Sequence, residues 1–126
     1  MARFSCTNET HASIPRVRFQ AIKEAALGKR YELSLTFVGA AHIAKLNKIY
    51  RNKTKPTDIL SFPLSEQEGE IYICPSETRK AAPLFGRKYD NFMAFLFIHG
   101  CVHLKGYDHS ATMEAIEARL RRRFKV

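Results

Sequence analysis

Seven consecutive apolar residues, Phe92 to Ile98, run directly into His99-Gly-Cys-Val-His103. Periodicity cannot separate a buried strand from a buried helix over so short a run. The histidines can. On a strand, His99 and His103 would lie about 13 Å apart, too far to share an ion, whereas on a helix their Cβ atoms would lie about 5 to 6 Å apart. If the two bind metal together, the segment is a helix. Asp90 or Asn91 is placed to cap its start, and Gly106 is suited to end it in the left-handed conformation.

The stretch continues as Leu-Lys-Gly106-Tyr-Asp108-His109, so a third imidazole returns after a glycine turn. Three of the chain's five histidines thus fall within 11 residues, a clustering that points to one divalent ion on His99, His103 and His109. Three nitrogen ligands without a fourth protein ligand leave an open position, the mark of a catalytic site able to activate water and polarise a phosphoryl or carbonyl oxygen. Zinc is expected from frequency, although imidazole also suits nickel, copper and iron. Asp108 either accepts a hydrogen bond from a ligand histidine or bonds to nearby backbone in the turn. The spacing HxxxHxxGxxH is also that of metzincin peptidases, which carry a general-base Glu directly after the first histidine. Here that position is Gly100, which leaves a metallopeptidase as the second reading.

The remaining elements alternate between strand and helix. Phe19, Ile22 and Ala26 follow Pro15 at helical spacing and stop at Gly28, with Pro15 suited to the first turn. Tyr31, Leu33, Leu35 and Phe37 alternate with polar residues, the period of a strand with one buried face. Ile43, Leu46, Ile49 and Tyr50 return to helical spacing. Ile59 to Phe62 reads as a short strand, at a sheet edge because Pro63 cannot donate to a ladder. Glu66 to Gly69 would be the turn before a strand through Ile71 and Ile73, followed by a turn or two of helix from Pro75. A last helix, capped by Ser110, carries an apolar stripe of Met113, Ile116, Leu120 and Phe124, with Glu117 and Arg121 paired on its wet face.

Residues 1–126 therefore read as one α+β domain, and 45% hydrophobic residues is enough to fill one core. No stretch approaches the roughly 20 apolar residues that cross a bilayer, and Met1 to Arg18 has no apolar region before a cleavage-like site. A soluble, cytoplasmic protein is the expectation. Cys6, Cys74 and Cys101 form no CxxC pair and are expected as buried, reduced thiols, with Cys101 about 200° around the helix from His99.

Lys and Arg number 21 against 12 Asp and Glu, a net charge of +9 that favours a polyanionic partner. Arg51, Lys53 and Lys55 place three cations in five positions after the second helix. Beside a metal, Arg51 could grip a phosphate in a bidentate fork and stabilise charge developing during cleavage. Phosphoryl chemistry gains on peptide chemistry accordingly.

Two long motifs, Tyr50-Arg51-Asn-Lys53-Thr-Lys55-Pro-Thr-Asp58-Ile-Leu-Ser-Phe62-Pro63 and His99-Gly-Cys-Val-His103-Leu-Lys-Gly106-Tyr-Asp108-His109, stand in the order and spacing of one family. The sequence resembles the YbeY family of bacterial endoribonucleases over roughly Leu46 to His109. That resemblance implies a mixed sheet surrounded by helices, with the metal site on a helix and the turn after it. It also implies a metal-dependent, single-strand-specific endoribonuclease that matures the 3′ end of small-subunit ribosomal RNA and takes part in ribosome quality control. His99, His103 and His109 match the zinc ligands, and Arg51 matches a basic residue that acts on RNA. Lys53 and Lys55 would help hold RNA, and ribosomal RNA or the ribosome would be the partner. Val102 and Glu70 depart from the family's usual Leu and Asp. A non-catalytic RNA-binding metalloprotein is the alternative of a different class.

His11 and His42 have no partner at ligand spacing and receive no role. Phe92, Phe95 and Phe97 could stack on bases but read as core, and Arg119 to Arg123 read as charges complementing a helix C-terminus, with an RNA-facing patch as the second reading.

Overall fold

The computed structural model describes residues 3–106 and 111–126. The alternation at Leu33, Leu35 and Phe37 produces strand β2 (Glu32–Phe37), in which every second side chain is buried. Before it come β1 (Phe4–Asn8) and helix α1 (Phe19–Leu27); after it come α2 (Ala40–Arg51), β3 (Ile59–Ser65) and β4 (Glu68–Ile73). Helix α3 (Pro75–Ala81) and a 3-10 turn (Ala82–Phe85) lead to α4 (Tyr89–Leu104) and α5 (Ala111–Phe124). The strands lie in the order β1-β2-β4-β3, with β1, β2 and β4 parallel and β3 antiparallel to β4. This is the mixed sheet of an α+β fold, and β3 is an edge strand. Pro63 therefore leaves no central ladder bond unmade, and the register shifts between Pro63 and Ser65.

Register decides the two faces. Leu35 stands beside Ile71 and Phe37 beside Ile73, and these side chains meet Met93, Phe97, Cys101, Met113 and Leu120 from α4 and α5 in the main core. The opposite face is smaller, with Leu60 and Val38 packed on Ile43 of α2. Ten residues of α4 are buried, so that helix is held on several sides at once, as an apolar sequence without a polar face requires. A fully buried Phe or Ile there contributes roughly 1.5–3 kcal/mol. Gly69 is required by close approach: a Cβ there would strike the Tyr31 hydroxyl and press on both Leu104 methyl groups.

Several boundaries differ from expectation. β1 carries no alternating apolar signal, because four of its five residues are exposed at the sheet's other edge. Pro15 precedes α1, which begins at Phe19 with Arg18 as its N-cap. The β3–β4 turn is only Glu66 and Gln67, since Gly69 is needed inside β4 opposite Leu33. Lys88, not Asp90 or Asn91, is the N-cap of α4, and the Asp90 carboxylate instead accepts from the Asn91 backbone N–H (2.8 Å). Cys74 and Cys101 are buried free thiols as expected, but Cys6 is exposed on β1. Ser110 lies outside the described residues. No described helix is long and apolar enough to cross a membrane.

Candidate active site

His99 and His103 stand one turn apart near the C-terminal end of α4, on one face of the helix. Cys101 is fully buried, turned into the core, and burial pushes its thiol well above the ordinary range. Gly100 explains how α4 comes so close to the edge strand. A Cβ at that position would lie 2.9 Å from Ile59 Cδ1, 3.0 Å from Ser61 Oγ and 3.2 Å from Ile71 Cδ1. The glutamate that a metzincin peptidase requires after its first histidine has no room here.

Arg51 is the last residue of α2, where Asn52 turns the chain by adopting a left-handed conformation (φ 53°). The loop beyond is pinned from inside: the buried Asn47 amide donates to the Lys55 carbonyl (2.9 Å). Arg51, Asp58, Ser61, Phe62, His99 and His103 consequently line one cleft of about 530 Å³. Tyr50, largely exposed, stands at its wall with its ring 4.7 Å from that of Phe62. Burial raises the Asp58 carboxyl above its usual range, against the hydrogen bonds from Ile59 and Thr57 that lower it. Lys53 and Lys55 are exposed on the loop and do not line the cleft. His11 and His42 are likewise outside its lining.

The contact that sequence reasoning missed comes from α5. Glu117 was expected on the wet face, paired with Arg121; its side chain is only 12% exposed, and Oε1 lies 2.5 Å from His99 Nδ1. Since a carboxylate can only accept, Nδ1–H is the donor in this contact. Glu117 Oε2 still lies 3.9 Å from Arg121, so the expected pair exists but is the longer of the two contacts. One signal was available. Glu117 is one turn beyond Met113 and adjoins Ile116, which places it on the border of the apolar stripe.

His109 and Asp108, the third expected ligand and its expected support, lie outside the described residues. Among the described residues no group of three or more His, Cys, Asp or Glu is placed to hold an ion. His99 and His103 supply two imidazoles one turn apart, and a carboxylate behind a ligand histidine is the usual support of such a ligand.

The sequence profile described as endoribonuclease YbeY matches residues 4–124. An endoribonuclease YbeY of Staphylococcus carnosus is 36% identical over 114 residues, covering 81% of this chain and 74% of that protein. This chain belongs to the endoribonuclease YbeY family. A YbeY relative from Staphylococcus saprophyticus is 40% identical over 90 residues, which are 62% of this chain and 59% of that protein. The alignment to that relative thus spans less than two thirds of its length. The solution structure of TM1509 from Thermotoga maritima superposes with a TM-score of 0.66 at 27% identity, covering 93% of this chain and 85% of that one. The mixed sheet and its helices are therefore shared beyond the two YbeY motifs.

Proposed function

We propose that this chain is a metal-dependent, single-strand-specific endoribonuclease that processes ribosomal RNA in the cytoplasm. It would act at the 3′ end of the small-subunit RNA and in ribosome quality control. The observation that carries the reading is the meeting of Arg51 with His99 and His103 in one cleft, on a chain of net charge +9. Family membership supports the same activity.

His99, His103 and His109 would hold the ion, with zinc the first expectation and Glu117 supporting His99. Bound there, a divalent ion would supply Lewis acidity toward a phosphoryl oxygen and toward water. The chain's own residues account for the rest. Arg51 offers two parallel N–H donors to the scissile phosphate and stabilises charge that develops on it. Glu117 keeps the His99 ring in one tautomer and one orientation, and Asn47 holds the loop that follows Arg51. Lys53 and Lys55, outside the cleft, would attract flanking phosphates at longer range.

The test is cleavage of single-stranded and duplex RNA by purified protein, before and after dialysis against a chelator, with elemental analysis of the metal. Cleavage of the single strand alone, lost with chelation and with His109→Ala while the melting curve of the metal-free fold is retained, is the expected result. Equal cleavage by the chelated protein would end the metal-dependent reading. Collapse of the fold on His109→Ala would favour a structural ion instead.

A further inference from the structure

A second hollow, of about 410 Å³, also opens on His99 and shares Asp58 and Ile59 with the Arg51 cleft. Its walls are aromatic and its charges are unevenly placed. Phe85, at the end of the 3-10 turn, is 58% exposed, while its ring lies 4.9 Å from that of fully buried Phe92 at an interplanar angle of 19°. Phe92 in turn stacks on Phe95 at 5.7 Å and 14°. Two guanidinium groups lie over the Phe95 ring, Arg87 at 4.4 Å and Arg121 at 5.4 Å from its centre. Arg87 is held by a hydrogen bond to Asn91. Three acidic residues, Asp58, Glu114 and Glu117, also line the hollow.

This arrangement selects among ligands. Acidic residues lining the hollow disfavour a phosphate there, so an anionic group belongs outside it, at Arg87, Arg121 or Arg51. An uncharged planar ring is favoured inside, where Phe85 presents a face already ordered by Phe92 and loses little freedom on binding. Carboxylate oxygens accept hydrogen bonds from the N–H groups on a base edge. Continuity with the Arg51 cleft through Asp58, Ile59 and His99 puts such a ring on the same strand as the phosphate at Arg51.

We propose that this hollow is a nucleobase subsite, in which an unpaired base of the RNA stacks on Phe85 beside the scissile phosphate. The proposal rests on the endoribonuclease reading above and deepens it. A base in a duplex has both faces covered and its edge paired, so the subsite admits only single strands. Preference for unpaired RNA would then originate in Phe85 and its stack rather than in the phosphate contacts.

The experiment is fluorescence anisotropy of the full chain with a labelled single-stranded RNA, intact or carrying one abasic residue at each position in turn. Strand integrity is checked on a gel. One abasic position should weaken binding to the native chain by about 5- to 160-fold, the range of a single base stack. Phe85→Ala should weaken the intact strand by the same factor and become insensitive to that abasic position. Phe85→Trp should restore both, and Leu84→Ala, at the exposed neighbour, should change neither. Native-like binding by Phe85→Ala, with the abasic sensitivity intact, would overturn the proposal and leave the apolar tip to a protein partner. Absence of RNA binding by the native chain would instead remove the endoribonuclease reading, and the subsite with it.

Discussion

With His99 as the metal ligand proposed above, replacing Glu117 by alanine should weaken metal binding, although Glu117 lies on a different helix from His99. The contact spans two helices, with Oε1 at 2.5 Å from His99 Nδ1, and the glutamate side chain is 12% exposed. A charge-assisted hydrogen bond of this kind contributes about 1.5–3 kcal/mol. Loss of a carboxylate that orients a ligand histidine costs 10- to 100-fold in affinity, or about 1.4–2.7 kcal/mol. The two ranges agree. The His99 side chain is 37% exposed, so solvent can replace part of the interaction, and the lower end, about tenfold, is expected. Glu117→Gln keeps an acceptor without the charge and should fall between native and alanine. The assay is competition with a chromophoric chelator for zinc at fixed pH, alongside thermal melting of the metal-free proteins. Zinc affinity of Glu117→Ala within twofold of native, with an unchanged melt, would refute the reasoning.

Gly100→Ala adds helix propensity of about 1 kcal/mol but drives a Cβ to 2.9 Å from Ile59 and 3.0 Å from Ser61. Overpacking of about 1–3 kcal/mol should win, and urea unfolding should show a net loss of up to about 2 kcal/mol. Asp58 has its carboxyl raised by burial above the ordinary 3.8, so the folded chain binds its proton more tightly than the unfolded chain. That contribution is present below pH 3.8 and is lost as pH rises through the folded-state value. Asp58→Asn should therefore melt higher than native near pH 7, and the advantage should vanish near pH 3; an equal gain at both pH values would contradict the assignment. Arg51→Lys keeps the charge and loses the planar fork, so cleavage should fall by about ten- to a hundredfold while RNA affinity changes little. Parallel loss of both would mean that Arg51 serves binding alone.

How legible each part was depends on whether its cause is local. β2 was readable because one of its faces is buried throughout, whereas β1 was not, since only Phe4 reaches the core and the other four residues are exposed. Helix α4 was readable from its histidines even though its apolar run carries no period. Its N-terminus was misplaced because Asp90 and Asn91 are residues that cap well, while the chain caps at Lys88 without any side-chain bond. Glu117 was misassigned by a local rule. Its spacing to Arg121 fits an i,i+4 pair, and only the packing of α5 against α4 reveals that the imidazole is the closer partner.

The cleft itself follows from strand order, which no local pattern carries. α2 packs on one face of the sheet and α4 on the other, so the residues they carry would be separated by a sheet layer if a central strand lay between them. They meet because β3, although it follows α2 in the chain, pairs only with β4 and ends as an edge. The C-terminal end of α2 brings Arg51 to that edge from one side, and the end of α4 brings His99 and His103 from the other. Gly100 and Ser61, small residues facing each other across the α4–β3 contact, let the two sides approach. An open edge is otherwise a liability for pairing with another chain, and Pro63 with the register shift beside it blunts that risk where the strand is most exposed. The same edge can then remain uncovered over Ser61 and Phe62, where the cleft needs it.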